Sequence, residues 1–319
     1  MNGEVNKNRI VIFAIGILVA VLAFLYFLGS STQSVFTSQD IKKDEIKDLS
    51  LLIVGDIMLD RNVRNKINEI GFEEFFKGVS DLISNADLAI GNLEGPFTMY
   101  PSLTASLKNK ALQFTFDPTL ANKLSSLGFD ILGLANNHTL NFGLEGLEMT
   151  KEYIRNAGMF YYGDPNNSKE ISIITEKNGI VIGIIGFHEF SYINSEKIIS
   201  EIDSIKDKVD VLIVTPHWGI EYKKAPTEKM KKWAYEYIDH GAHIVIGTHP
   251  HIVGDTEEYK GRMIFYSLGN FVFDQYFSED TMNGLAIKLD IEKIYGSTEI
   301  KHSTIPIRID KKGPYILSN

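Results

Sequence analysis

The sequence contains no cysteine among its 319 residues and has fewer basic than acidic side chains. Without thiols there is no disulfide framework, no cysteine nucleophile and no thiolate metal site, so a bound metal would need nitrogen and oxygen ligands. The 32 Lys and Arg residues against 41 Asp and Glu residues leave a formal net charge of −9. Because phosphate neutralisation needs clustered basic residues, this balance argues against a nucleic-acid partner.

The rest of the composition is typical of a folded protein, with 44% hydrophobic and 23% charged residues, which excludes disorder as the main state. Residues 10–29 form a long hydrophobic run without charge. At 1.5 Å per residue such a helix crosses a hydrocarbon core of about 30 Å. It is also longer than the apolar segment of a cleaved signal, which has about 7 to 15 residues. We therefore predict an uncleaved transmembrane anchor, with a cleaved signal as the alternative.

The flanking charges predict how this anchor is oriented. Lys7 and Arg9 precede it, whereas residues 31–38 contain no basic side chain. The positive-inside rule then places the N-terminus in the cytoplasm of a single-pass protein of the cell membrane. The predicted organisation is a cytoplasmic tail, a transmembrane anchor, a polar stalk and an extracellular domain, over residues 1–9, 10–29, 30–47 and 48–319.

After the stalk, short apolar runs alternate with amphipathic segments, which indicates an α/β architecture. Most runs are too short for helices and almost uninterrupted, as expected for strands covered on both faces. They lie at residues 51–54, 88–90, 131–134, 180–185, 211–214 and 244–246. Helix signals occur at Asp117-Pro118, Leu144 and Thr227, and Asn178-Gly179 is typical of a hairpin. We expect mixed sheets, and from residue 263 onward mostly β-structure with turns at Asn283-Gly284 and Gly296.

Polar residues follow five of these predicted strands. Since ligands of open α/β sheets bind beyond the carboxyl ends of the strands, we expect these side chains to converge. The segments are GD (55–56), GNLE (91–94), ANNH (135–138), PHWG (216–219) and GTHPH (247–251). Each alone has a structural interpretation as a helix cap, a turn or a hydrogen-bonded histidine. Together they supply the oxygen and nitrogen ligands of a divalent-metal site, and the pair His249 and His251 is the most specific signal among them.

Other polar residues are less specific. The planar guanidinium of Arg61, just beyond Asp56, suits a carboxylate or phosphate. Asn270 could contact substrate or belong to an ordinary turn. For His188, His240 and His243 we favour structural roles. A basic run between residues 223 and 232 is either a solvated helix face or an attractor for an anionic substrate, and the first interpretation is favoured.

Six motifs occur together in this order: GDIMLDR (55–61), GNLEGP (91–96), ANNHTLNFG (135–143), PHWG (216–219), GTHPHI (247–252) and YSLGNFVFDQ (266–275). They resemble the bacterial capsule biosynthesis CapA family, called PgsA in producers of poly-γ-glutamate. The resemblance covers about residues 50–280. It implies a four-layer α/β/β/α sandwich like that of the calcineurin-like metallophosphoesterases, and an anchored, outward-facing topology.

The resemblance also implies roles for individual residues. It implies one or two divalent ions (Mn, Zn, Fe or Mg), with His138 protonating or stabilising the leaving oxygen. The implied metal ligands are Asp56, Glu94 in place of the bridging acid, Asn137, His217, His249 and His251. One departure is clear: the first metallophosphoesterase motif is Asp-x-His, and here Met58 occupies the histidine position.

Two hypotheses of function follow. In the first, the protein is a membrane-anchored accessory of capsule synthesis or export that works with the polymer poly-γ-glutamate, a capsule ligase and membrane export subunits. In the second, the extracellular domain is a metal-dependent hydrolase that acts on a phosphoester or on the capsule polymer, or, as a further alternative, a stand-alone extracytoplasmic phosphoesterase or hydrolase unrelated to capsule. The two are compatible, since an accessory protein can also hydrolyse.

Overall fold

The computed structural model describes residues 46–104, 112–191 and 195–317. The predicted tail and anchor, and the stalk as far as residue 45, lie outside these described residues. In the described ranges, no helix has the length and apolar character needed to cross a bilayer. Residues 46–319 form one unit, whose first strand begins at Ile46, close to the predicted boundary at residue 48.

The strands of the described chain are β1 (Ile46–Ile57), β2 (Leu88–Leu93), β3 (Ile131–Gly133), β4 (Phe160–Tyr162), β5 (Ser172–Lys177), β6 (Ile180–His188), β7 (Val211–His217), β8 (Ile244–Ile246), β9 (Thr256–Tyr259), β10 (Arg262–Phe265), β11 (Asn270–Val272), β12 (Asn283–Ile294), β13 (Ser297–Asp310) and β14 (Gly313–Ile316). The helices are α1 (Arg61–Ile70), α2 (Phe72–Phe76), α3 (Ser80–Ser84), α4 (Thr119–Leu127), α5 (Gly143–Asn156), α6 (Ser195–Ile205) and α7 (Glu228–His240). Short 3₁₀ turns cover Lys206–Lys208 and Asp280–Met282.

The strands form two mixed sheets. In the first, the order is β14-β13-β12-β1-β2-β3-β4, with β11 also paired to β1. Here β1 to β4 are parallel and β12 to β14 are antiparallel. In the second, the order is β5-β6-β7-β8-β10-β9, with β6, β7, β8 and β10 parallel. The six predicted strands are therefore confirmed, because each predicted run lies in or overlaps one of the parallel strands.

Three hydrophobic clusters lie between the four layers of the fold, which are two sheets and two layers of helices. Between the sheets, Ile53 of the first sheet and Ile213 of the second belong to one cluster. Leu124 and Ile154 of α4 and α5 belong to a cluster with the other face of the first sheet. Trp233 of α7 belongs to a third cluster with the second sheet. Since burying such a side chain contributes about 1.5–3 kcal/mol, these clusters hold two helix layers around two sheet layers.

Local sequence explains the predicted turns and caps. The hairpin between β5 and β6 turns at Asn178 and Gly179, which have φ of 53° and 75°, as a type I′ turn requires. Thr227 caps α7 by accepting a hydrogen bond from the Met230 N–H at 3.2 Å. The turn predicted at Asn283-Gly284 is wrong: these residues begin β12. Glycine is required at 284 because a Cβ there would lie 1.9 Å from the carbonyl oxygen of Asn270.

The parallel strands of both sheets end at the same edge of the molecule. Position 55 requires glycine because a Cβ there would lie 2.0 Å from the carbonyl oxygen of Gly269. The next residue, Asp56, donates its backbone N–H to that same oxygen at 3.1 Å. The pairing of β1 with β2 and β11 is irregular at this point. This close approach turns the Asp56 carboxylate into the space between the two sheets' carboxyl ends.

Candidate metal centre

Two carboxylates lie at the centre of this edge, both fully buried. Asp56 is at the end of β1, and Glu94 directly follows β2. Both Glu94 oxygens lack a hydrogen-bond partner among the described residues. Burial, with the nearby Asp56 carboxylate, holds the pKa of Glu94 well above its usual range. An acid in this setting is stabilised in its charged form only if a cation accompanies it.

His251 completes a buried group with these two acids. Its Nδ1 lies 3.2 Å from Asp56 Oδ2, and its Nε2 lies 3.6 Å from Glu94 Oε1. One ligand atom from each of the three residues falls within 4.8 Å of the others. The group therefore has the spacing of a metal site with one nitrogen and two oxygen ligands.

The other three predicted ligands form a second group, in which Asn137 follows β3 of the first sheet and His217 and His249 come from the second sheet. His217, at the end of β7, has Nε2 2.8 Å from Asn137 Oδ1. The ring of His249 lies 4.8 Å from that of His217 and 5.9 Å from that of His251, centroid to centroid. His249 Nδ1 is buried and without a hydrogen-bond partner among the described residues. The six residues predicted as metal ligands thus lie together.

The imidazoles of this second group are neutral. Burial, with neighbouring histidines adding to it, holds the pKa of His217 well below its usual range. Burial, with His251 next in effect, lowers the pKa of His249 to about 3. Neutral imidazole is the form that ligates metal ions.

The backbone around the last two histidines is strained. His249 has φ of 97° and His251 has φ of 59°, both in the left-handed region that non-glycine residues rarely adopt. Such conformations persist where the surrounding structure imposes them, and they cluster at ligand sites. The His249 N–H donates to Asp56 Oδ2 at 3.3 Å, which links this strained loop to the acid of β1.

His138 lies at the side of the acidic group. Its Nε2 is 3.8 Å from Glu94 Oε1, and its Nδ1 is 3.2 Å from Asn141 Oδ1. The ring packs on Phe114 with centroids 4.4 Å apart, and 12% of its side chain is exposed. Burial lowers the pKa of His138. An imidazole in this position reaches the site and also retains contact with solvent.

The two predicted substrate residues have different placements. Asn270 is buried, with Oδ1 3.0 Å from His251 Nδ1 and Nδ2 donating to His251 O at 3.2 Å. A substrate contact does not fit a side chain enclosed in this way, so Asn270 holds the His251 imidazole instead. Arg61 pairs with Asp274 at 3.3 Å and keeps 31% of its side chain exposed. It therefore remains available at the rim.

Asn92 is a site residue that the sequence prediction missed. Its Nδ2 donates to Asp56 Oδ1 at 2.7 Å and lies 3.3 Å from His217 Nδ1. Its Oδ1 accepts from Asn136 Nδ2 at 3.1 Å. Asn92 therefore connects the two groups. Its signal was its place at the end of β2, in the same motif as Glu94.

Met58 is fully buried and belongs to the hydrophobic cluster between the first sheet and its helices. The Asp60 N–H donates a hydrogen bond to the Met58 Sδ at 3.1 Å. The position that carries a histidine in the Asp-x-His motif therefore serves the core in this chain. Glu94, whose two oxygens have no hydrogen-bond partner among the described residues, lies on this side of the site.

Three further histidines and the basic run have structural contacts. His243 Nδ1 accepts from the Leu212 N–H at 3.0 Å, His240 Nδ1 lies 3.1 Å from an Asp203 oxygen, and His188 Nε2 contacts the Pro165 carbonyl oxygen. In the basic run, lysines at 224, 229, 231 and 232 approach acids within 3.5–4.0 Å. This agrees with the favoured interpretation of the run as a solvated surface.

The buried donor set fits a divalent cation. Glu94 supplies two unpartnered oxygens, and His249 supplies an unpartnered nitrogen. Leaving such groups unpaired costs about 1–3 kcal/mol each, and more when charged, so a ligand that satisfies all of them is favoured. Fold and site together define an α/β sandwich of two mixed sheets with a buried Asp/Glu/His group at the carboxyl ends of its strands.

Comparison with known proteins gives the family. Residues 50–275 match the family model described as bacterial capsule synthesis protein PGA_cap, and the chain belongs to this family. The PGA biosynthesis protein CapA of Bacillus subtilis (strain 168) is 31% identical over 291 residues, 85% of this chain and 74% of that protein. The capsule biosynthesis protein CapA of Bacillus anthracis is 29% identical over 281 residues, 82% and 68% of the two chains. The predicted family resemblance is confirmed.

Solved structures agree on the fold. A phosphatase from Mycoplasma pneumoniae superposes with a TM-score of 0.52 at 15% identity, covering 82% of this chain and 94% of that one. A protein from Thermus thermophilus gives a TM-score of 0.50 at 15% identity, covering 81% and 99%. At such identities the likeness supports the α/β sandwich alone.

Proposed function

We propose that this protein is a membrane-anchored component of capsule polymer synthesis or export whose extracellular domain carries a divalent-metal hydrolase site. The family and its CapA relatives support the capsule role. The observation that carries the hydrolase role is the pair of buried Glu94 oxygens without partners, of which Oε1 lies 3.6 Å from His251 Nε2 and 3.8 Å from His138 Nε2. The polymer proposed is poly-γ-glutamate, and the proposed partners are the capsule ligase and the membrane export subunits.

The ligands proposed for one or two ions (Mn, Zn, Fe or Mg) are Asp56, Glu94, Asn137, His217, His249 and His251. A divalent ion bound there would supply Lewis-acid polarisation and a nucleophile at neutral pH. Asn270 would orient His251 through Nδ1, which leaves Nε2 directed at Glu94. A carbonyl acceptor on the far nitrogen is the usual way that a ligating imidazole is fixed.

His138 would hold the proton for the leaving group. Its Nδ1 is engaged by Asn141, so Nε2 is the atom that faces Glu94 and the site. Because the Asn141 carbonyl oxygen accepts from Nδ1, a neutral ring has no proton on Nε2. Nε2 would donate to the departing oxygen only in the imidazolium form, whose second proton would be taken up through the edge of the ring in contact with solvent. General acid catalysis of this kind contributes about 10² to 10⁴ in rate. Arg61 would bind a carboxylate or phosphate of the substrate at the rim.

The alternative function is a stand-alone extracytoplasmic phosphoesterase unrelated to capsule synthesis. The metallophosphoesterase-like fold and the imidazole-rich half of the site favour it, since both suit a phosphoryl group. The two functions differ in what the metal-loaded protein recognises. Turnover of simple phosphoesters without binding of poly-γ-glutamate would favour the alternative, and binding of the polymer without such turnover would favour an accessory role.

The metal assignment has a direct test. We expect the full-length protein to retain divalent metal after gel filtration and to lose it in the double variant His249→Ala plus His251→Ala, as measured by elemental analysis. His240→Ala is the matched control, because this histidine pairs with Asp203 on the surface. Equal metal content in the double variant and the control would contradict the proposal.

A further inference from the structure

Three large aromatic side chains lie exposed beside the candidate metal centre. The exposed fractions are 46% for Phe190, 42% for Tyr222 and 67% for Phe277. Single exposed hydrophobic side chains are ordinary on protein surfaces and need no explanation. These three differ because Phe190 has ring contacts with His249 and His217, and Tyr222 has ring contacts with His251 and Phe277.

Phe190 forms the first wall of this surface. Its ring centroid lies 4.3 Å from that of His249, at an interplanar angle of 51°, and 6.1 Å from that of His217. It follows β6 by two residues, so it lies at the same edge as the other strand-end residues. An apolar ring therefore borders the two imidazoles proposed as metal ligands.

Tyr222 and Phe277 form the second wall. The Tyr222 ring lies 6.3 Å from that of His251, and Phe277 meets Tyr222 edge-on with centroids 5.3 Å apart. The Tyr222 N–H donates to Pro250 O at 2.9 Å, and its hydroxyl accepts from Gln275 Nε2 at 3.2 Å. With φ of 61°, Tyr222 is held in a strained, defined position and not as a loose surface side chain.

We propose that Phe190, Tyr222 and Phe277, here called the aromatic mouth, bind a planar uncharged group of the substrate next to the anionic centre held by the metal site. The inference rests on the proposed hydrolase function and adds a substrate class to it. Aromatic faces attract planar π-systems such as aryl rings or amide planes, whereas a bare anion gains nothing from them. The substrate is therefore an anion whose neighbouring group is flat, and the aromatic mouth selects it.

The test compares three phosphonates that differ only in the group beside the anion. Phenylphosphonate is planar, cyclohexylphosphonate is apolar but not planar, and methylphosphonate is small. Binding to the manganese-loaded full-length protein is measured by calorimetry, so that no turnover is needed. We expect phenylphosphonate to bind about tenfold tighter than either of the other two, as one stacked ring contributes.

Substitutions locate the preference. Phe190→Ala and Phe277→Ala should each remove most of the preference for phenylphosphonate, measured as the ratio of its affinity to that for methylphosphonate in the same variant. The matched control is Phe160→Ala, because Phe160 is 56% exposed but lies at the amino end of β4, away from the strand-end residues. This control should retain the full preference.

Each outcome decides a different point. Equal affinity for all three phosphonates, or a preference that survives both mouth variants, would overturn the aromatic mouth but leave the metal site standing. Equal affinity for the phenyl and cyclohexyl compounds would replace planar recognition by simple apolar contact and overturn the proposal in its stated form. Failure to bind any phosphonate would overturn the proposed site itself, and the aromatic mouth with it.

Discussion

The two halves of the candidate site differ in chemistry although they face each other across one edge. The acidic half, Asp56, Glu94 and His251, contains two carboxylates and is buried throughout. The imidazole half, Asn137, His217 and His249, contains no acid, and its Asn137 is exposed. We expect a hard cation to be held more strongly by the first half, because its two carboxylates attract a cation more strongly than neutral imidazole and amide groups do.

The departure at Met58 falls on the acidic half, two residues after Asp56. We expect a carboxylate to offset the missing nitrogen ligand there, since Glu94 Oε1 lies 3.6 Å from His251 Nε2 and 3.8 Å from His138 Nε2. The asymmetry teaches that a missing motif residue does not by itself mean an inactive site. What matters is whether the surrounding groups still leave buried donors without partners, and here they do.

The largest expected effect concerns His138, which is beside the acidic half but outside the ligand set. With His138→Ala we expect the hydrolysis rate to fall by about 10² to 10⁴, because the leaving group loses its proton donor. Metal content should stay at the wild-type value, since Nε2 is not a proposed ligand. Steady-state kinetics and elemental analysis on one preparation check both expectations. A parallel loss of metal and rate would make His138 a ligand instead.

The next effect tests how firmly the acidic half is organised. Asn270→Ala removes the carbonyl that holds His251 Nδ1, and supports of this kind change metal affinity by about 10- to 100-fold. Competition with a chromogenic chelator measures the change. Asn270→Asp keeps the oxygen that accepts from His251 Nδ1, so it should recover much of the metal affinity. Equal metal affinities of the Ala and Asp variants would show that this oxygen has no orienting role. Thermal unfolding confirms that both variants are folded.

The sheets were the most predictable part of the fold, for a physical reason. Parallel strands are covered on both faces, so β6, β7 and β8 leave nearly continuous apolar runs in the sequence. Helices α2 and α3 have five residues each, which is too short to show a helical period of hydrophobic residues in the sequence. Helices this short are marginal alone, and α2 persists here because Phe75 and Phe76 pack into the core.

The site was predictable as a list of residues and not as a set of contacts. Histidines and acids at strand ends converge because strand direction dictates it. Asn92 contacts Asp56, which is 36 positions earlier in the chain, and His217, which is 125 positions later. No local sequence pattern encodes such a pairing. The same holds for Asn270, which was expected to face substrate and instead lies against His251, 19 positions earlier.

A smaller effect is expected when the lost motif residue is restored. Met58→His places an imidazole where a buried thioether packs against the core, so the metal-free protein should be less stable by about 1–3 kcal/mol. If the pocket accepts the ring, added manganese should raise the melting temperature more than it does in the wild type. Equal shifts in the two proteins would show that the geometry, and not one ligand, has diverged.

The smallest effect is expected on the imidazole half, where the support is shared. Thr248 Oγ1 lies 2.9 Å from His217 Nδ1, but Asn92 Nδ2 lies 3.3 Å from the same nitrogen. Thr248→Val removes the hydroxyl and keeps the shape, so we expect a loss of metal affinity of less than about tenfold, below that of Asn270→Ala. The same chelator competition measures both variants. An effect of Thr248→Val as large as that of Asn270→Ala would mean that metal binding depends equally on the supporting group of each half. The two halves would then contribute equally to metal affinity.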